Sequence, residues 1–180
     1  LEHPDWLLEI HRAYLAAGAQ VATANTFGAS ALKLAGTGCT PETVIAANVS
    51  LARQAVGDRA LVALDIGPLG QLLEPTGTLR FDDAYDCFAQ MVRAGAKAGA
   101  DLVLLETMTD LYEVKAALLA VKENSSLPVI CTMTFEDNRR TFLGCDLPSM
   151  ALTLEGLGAD AIGVNCSLGP REFPALLEEL

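Results

Sequence analysis

Several apolar runs in this chain end on side chains able to do chemistry. Asn25-Thr26 close the run from Val21, Asp65 stands near the end of Leu61–Ile66, and Glu106-Thr107 follow Leu102–Leu105. Thr134 follows Val129–Met133, and Asn165-Cys166-Ser167 follow Ala161–Val164 in the stretch D-A-I-G-V-N-C-S-L-G-P, Asp160 to Pro170. That last run has the length and composition of a buried parallel strand. In α/β architecture the carboxyl ends of parallel strands converge on one face, where ligands and catalytic groups sit. A thiol there suits a metal thiolate, since zinc favours sulfur ligands. It also suits a nucleophile, but that role needs a base. The two histidines, His3 and His11, precede or sit on the first helix, so a Cys-His pair is weakly supported. Glu106 suits binding an ammonium group, acting as a base or holding a metal, with helix capping or ion pairing equally open. Asp65 stands just before Gly67-Pro68 and has turn-making as its plain alternative.

The whole composition narrows the field. A chain of 180 residues with 51% hydrophobic content is expected to form one domain with a substantial core. Its formal net charge of -11 and 6% aromatic content offer little to a phosphate backbone or an anionic membrane surface, so neither nucleic acid nor membrane is an expected partner. Polar residues break every apolar run short of spanning length, and no basic segment with an apolar core opens the chain. A soluble cytoplasmic protein is the expectation, and Leu1 in place of Met suggests a piece of something longer. The five cysteines, Cys39, Cys87, Cys131, Cys145 and Cys166, form no C-x-x-C pair, which argues against a disulfide framework. Cys87 and Cys131 read as core packing.

The elements that must position these groups alternate. Pro4-Asp5 opens a helix that runs to Gly18, and Thr40-Pro41-Glu42 opens another with Thr40 as N-cap. Phe81–Ala98 reads as helix, with Asp82 and Asp83 complementing the dipole of its first turn. Asp110–Glu123 and Pro148–Leu157 are helical, and another helix starts near Glu172. The long loop from Gly67 to Arg80 is of a kind that is often functional. Gly18-Ala19-Gln20, Gly99-Ala100-Asp101 and Gly158-Ala159-Asp160 each close a helix and feed a strand, so one βα unit is being reused. Five strands with crossover helices imply a parallel sheet. The pattern leaves open a doubly wound sheet or part of a barrel, with the open sheet as default for this length. No G-x-G-x-x-G or G-x-x-x-x-G-K-[ST] motif follows any strand.

The residues also resemble a known family. His3-Pro4-Asp5 with Ile10-His11, Ala24 to Ala29, Gly67 to Gly70 through Glu74-Pro75, Leu104 to Met108, Met133 to Phe135 and Gly163 to Pro170 match in order and nearly end to end. The resemblance is to the homocysteine-binding module of the zinc-dependent homocysteine S-methyltransferases. It implies a (β/α)8 TIM-type barrel and methyl transfer to the homocysteine thiolate, giving methionine. It implies zinc held by three cysteines, with Cys166 matching the first. Glu106 matches the carboxylate that holds the substrate's amino group, and Asn25, Asp65 and Asn165 take supporting roles at matching strand ends. Residues 72–81 and 134–144 lean toward the cobalamin-dependent type, with methylcobalamin on another domain as donor and cobalamin- and folate-binding domains in the same longer polypeptide. A small methylated compound is the other donor class.

This sequence departs from the family pattern. It has no adjacent Cys-Cys pair for the other two ligands, and the family's opening strand with its glycine-rich loop would precede Leu1. The expected structure is therefore an incomplete barrel resembling strands two to six, truncated at both ends and inactive in isolation. Its edge strands, at Val21 and Ala161, would invite self-association. Two other readings stand beside this one: a non-catalytic α/β domain that folds or assembles without chemistry, and a cysteine-nucleophile enzyme whose Cys166 is alkylated rapidly near neutral pH.

Overall fold

The computed structural model describes residues 2–166 and 168–180. Leu1 and Ser167, the third member of the polar trio after the last strand, lie outside the described residues. The helices begin where capping chemistry allows. Helix α1 (Pro4–Ala16) starts on proline, and α3 (Pro41–Val56) is capped by Thr40, whose hydroxyl accepts from Thr43 N–H at 3.3 Å. Helix α4 (Phe81–Ala98) has Asp82 and Asp83 in its first turn. Asp110 caps α5 (Leu111–Asn124) and Asp146 caps α6 (Leu147–Gly156). A short α2 (Ala31–Leu34), capped by Ser30, precedes α3, and α7 (Phe173–Leu177) ends the order. The brevity of α2 explains why no periodicity announces it.

The strands are β1 (Val21–Thr23), β2 (Leu61–Ile66), β3 (Leu102–Met108), β4 (Val129–Met133) and β5 (Ala161–Val164). All neighbours are parallel, in the order β1-β2-β3-β4-β5. This corrects the default of an open doubly wound sheet, whose strand order must reverse at a switch point. A sequential order with each helix crossing over one face is a sector of a (β/α) barrel. Val62, Leu64, Ile66, Val103, Leu105, Val129, Cys131 and Met133 are buried beneath α3 to α6, whose inward residues include Val49, Phe88, Val92, Leu118 and Met150. The last strand corrects a second expectation. Ala161 is exposed and Ile162, Gly163 and Val164 are only half-buried, because β5 has a strand neighbour on one side alone.

The repeated unit, Gly-Ala-Gln once and Gly-Ala-Asp twice, has a common physical basis. Gly18, Gly99 and Gly158 take φ of 99°, 87° and 84°, conformations that let a helix stop and the chain reverse into a strand. The aspartates then clamp the preceding strand. Asp101 Oδ2 accepts from Val62 N–H at 2.7 Å and pairs with Arg53. Asp160 Oδ2 accepts from Val129 N–H at 2.8 Å and from Lys122 Nζ at 2.9 Å. Each carboxylate thus joins the start of one strand, the start of the next and the helix that leads into the first of the two.

Asp101→Asn is expected to cost about 1–2 kcal/mol, the scale of a charge-assisted hydrogen bond. Burial favours the neutral Asp101, but Val62 N–H and Arg53 prevail and hold its carboxyl below the ordinary value of 3.8. The contribution is therefore present above about pH 4 and fades as pH falls through the lower folded value. Urea unfolding of both proteins at pH 7 and pH 3 checks this, with the gap between their midpoints closing in acid.

Candidate active site at the strand ends

Strand register brings the polar ends together before any side chain is considered. Asp65 aligns with Leu104, Leu104 with Ile130, and Ile130 with Ala161. Alternation along each strand then places Glu106, Thr132, Gly163 and Asn165 on the same face as Asp65. That face is opposite the helices and would form the inside of the barrel. The parallel strands all point one way, so these groups share its carboxyl rim. A cavity of about 340 Å³ opens along β1 beneath Ile10, His11 and Tyr14 of α1, with Glu106 in its wall.

Asn165 is the hub of the rim. Its Oδ1 accepts from Thr107 N–H and from Thr132 Oγ1, both at 3.0 Å, which fixes the orientation of the amide. Its Nδ2 donates to Glu106 Oε2 at 2.8 Å and lies 2.9 Å from Thr107 Oγ1 and 3.5 Å from Cys166 Sγ. Thr134 Oγ1 donates to the Asn165 carbonyl at 3.1 Å. Cys166 Sγ is exposed and lies 3.3 Å from Thr107 Oγ1. No histidine touches it: His11 is buried in α1, where desolvation lowers its pKa, and His3 stacks on Trp6.

Asp65 meets the hub from the other side. Its backbone is fixed by Thr26, whose hydroxyl donates to Asp65 carbonyl at 2.8 Å and accepts from Asp65 N–H at 3.0 Å. Its carboxyl is buried, and Oδ1 has no hydrogen-bond partner. Burial first, then the charge of Glu106 and a hydrogen bond with it, push this carboxyl up to about 8. Two carboxyls so placed favour sharing a proton over carrying two charges. Asn25, in contrast, is exposed beyond β1 and has no hydrogen-bond partner among the described residues.

The structure therefore gathers Asp65, Glu106, Asn165 and Cys166 and leaves Asn25 apart. Thr26 and Thr107, named above only as strand-end residues, and Thr132, which was not, help to build the site. Thr132 is legible only from register, since its place opposite Gly163 puts it under Asn165. Cys131 and Cys145 lie away from the rim. Cys131 is buried, which pushes its thiol up to about 12, and Cys145 Sγ donates to its neighbour's carbonyl at 3.3 Å.

The raised Asp65 carboxyl has a consequence for stability. Below about pH 4 both the folded and unfolded chains carry it neutral. As pH climbs from 4 to 8 the unfolded chain ionises while the folded chain resists, so the group destabilises progressively. Asp65→Asn is neutral throughout, and its urea midpoint should gain on the parent's between pH 4 and pH 8. A gap that does not change with pH would rule this out.

With this geometry established, comparison with known proteins is informative. The family model for homocysteine S-methyltransferase matches residues 1–180. Methionine synthase of Mycobacterium leprae is 31% identical over 98% of this chain, and that of Mycobacterium tuberculosis is 30% identical over the same share. This chain spans 16% of the length of each. Among solved structures, the homocysteine methyltransferase MmuM from Escherichia coli, in its metallated form, superposes with a TM-score of 0.89 at 24% identity, over 99% of this chain and 68% of that one. A putative phosphonomutase from Burkholderia cenocepacia shares the fold more distantly, with a TM-score of 0.60. The chain belongs to the homocysteine S-methyltransferase family.

Proposed function

We propose that residues 1–180 are the homocysteine-binding domain of a methyltransferase that makes methionine, carried in a longer polypeptide of the methionine synthase type. The observation that carries this reading is the unsatisfied Asp65 Oδ1, buried beside Glu106. An α-ammonium group supplies what that pair lacks, a positive charge and three N–H donors. On binding it displaces the proton of Asp65, which then ionises against it. Glu106 Oε2 is held in place for this by Asn165 Nδ2.

The same nitrogen also faces Cys166 Sγ, so the amine-binding oxygen and the cysteine sulfur are each one contact from Asn165 Nδ2. Homocysteine separates its ammonium and thiol by three carbons, a span that lets one end sit on the carboxyls and the other approach Cys166. In the reaction the substrate sulfur forms a bond to the methyl carbon as the bond from that carbon to its donor breaks. Methylcobalamin is the proposed donor, brought by a neighbouring cobalamin-binding domain, with a folate-binding domain to reload it. The two mycobacterial methionine synthases support a longer polypeptide, since this chain spans 16% of the length of each.

Zinc is proposed as the metal, and the residues present fit it in part. Cys166 offers an exposed sulfur at the rim, a good ligand by type. Among the described residues no group of three or more His, Cys, Asp or Glu is placed to hold a metal ion. In this reading Cys166 supplies one ligand and the others come from elsewhere in the longer polypeptide. When bound, zinc would keep a coordinated thiol deprotonated at neutral pH. The incomplete ligand set favours the second reading, a domain that folds without doing chemistry by itself. No described helix is long and apolar enough to cross a membrane.

Two variants separate the readings in the natural polypeptide that carries this segment. Glu106→Gln should raise the KM for homocysteine about 30- to 150-fold, the equivalent of about 2–3 kcal/mol for a charge-assisted contact. An unchanged KM would remove Glu106 from the substrate. Cys166→Ser should lose the bound zinc that elemental analysis finds in the parent, and with it methyl transfer. Zinc content equal in both proteins would dismiss Cys166 as a ligand.

A further inference from the structure

One buried carboxylate takes no part in the rim described above. Glu113 lies in the first turn of α5 and is only 4% exposed. A glutamate three residues after an aspartate N-cap ordinarily turns back onto its own helix as a capping box. Here the cap is completed by Asp110, whose Oδ1 accepts from Tyr112 N–H at 2.8 Å. Glu113 instead reaches across to another loop, and its Oε1 accepts from Leu69 N–H at 2.7 Å.

Leu69 belongs to Gly67-Pro68-Leu69, the segment that leaves β2 directly after Asp65-Ile66. The segment is tightly held on its other flank. Gly67 N–H donates to Phe27 carbonyl at 3.2 Å, and a Cβ on Gly67 would fall 2.3 Å from the Phe27 ring. The β2 exit is therefore gripped between the β1 loop and Glu113.

We propose that Glu113 is a positioning residue, whose buried carboxylate fixes the Gly67–Leu69 loop through Leu69 N–H and thereby sets where the Asp65 carboxyl stands beside Glu106. The idea rests on the amine-binding reading only for its functional meaning; the linkage itself is a property of this chain. The charged groups facing Glu113 are Asp110 on its own helix and Lys33 on α2. Burial raises its carboxyl most, to about 7, with Asp110 adding to the rise and Leu69 N–H and Lys33 opposing it. The grip is strongest when Glu113 is ionised, because an ionised acceptor makes the stronger hydrogen bond. It weakens as pH falls through 7.

Amide and carboxyl NMR on the labelled chain tests this without homocysteine or zinc, so its outcome is separate from that of the functional reading. Leu69 N–H should titrate with a midpoint near 7, and its protection from exchange should fall about tenfold between pH 8 and pH 6. Glu113→Gln should flatten that titration and displace the midpoint of the Asp65 carboxyl. Glu113→Met, which keeps the volume without the charge, gives the same two readouts if the glutamine variant folds poorly. A Leu69 amide that does not respond to pH in the parent overturns the proposal. So does an Asp65 midpoint identical in the parent and the variants, which would leave Glu113 as packing alone.

Discussion

Parallel strands in chain order impose one constraint from which the rest follows: every strand must deliver its carboxyl end to the same rim. The rim is therefore crowded with whatever polar side chains terminate the apolar runs, and their mutual interactions have to be resolved there. Asn165 resolves most of them. Its amide joins the β3 backbone at Thr107, the β4 hydroxyl at Thr132 and the Glu106 carboxylate, tying the ends of β3, β4 and β5 together. An amide suits the position because it offers donors and acceptors in one rigid plane.

Crowding is also what gives the rim its electrostatic character. Asp65 is buried with an oxygen that nothing satisfies, facing a second carboxyl. Such an arrangement costs stability, and folded proteins tolerate that cost mainly where a ligand relieves it. The clamp aspartates make the contrast clear. Asp101 and Asp160 stand at the opposite ends of the strands, each meeting a backbone N–H and a cation, and both are held below the usual carboxylate range. Both kinds of site use the same residue type. At the amino ends of the strands aspartate supports the fold; at the carboxyl ends it keeps its proton and leaves a buried oxygen unsatisfied.

Much of this was legible in the sequence because it depends on local order. The five apolar runs, their terminal residues and the Gly-Ala-Asp unit required only neighbours in the chain to be recognised. What escaped depends on pairs distant in sequence. Glu113 reads locally as the second half of a capping box, and nothing near it indicates Leu69, 44 residues away. The choice of a barrel sector over an open sheet lies in strand order, which the pattern of elements does not encode; the family resemblance supplied it, and the strand order agrees. Asn25 differs from the other strand-end residues: its side chain is exposed and engages none of them.

Backbone conformation marks the rim independently of charge. Thr107 and Cys166 take φ of 59° and 58°, the left-handed region, and they touch through Oγ1 and Sγ. For a β-branched residue such as Thr107 this conformation is a true outlier, costing on the order of 1–3 kcal/mol. It also coincides with the register shift between Leu105 and Met108, so β3 is locally distorted where Glu106 projects. The distortion turns Thr107 N–H toward Asn165 Oδ1 and its hydroxyl toward both Glu106 and Cys166. An undistorted strand would keep Thr107 on the helix-facing side, where neither contact is within reach. The strain thus sets one threonine between the carboxylate and the sulfur, in contact with the asparagine that holds both.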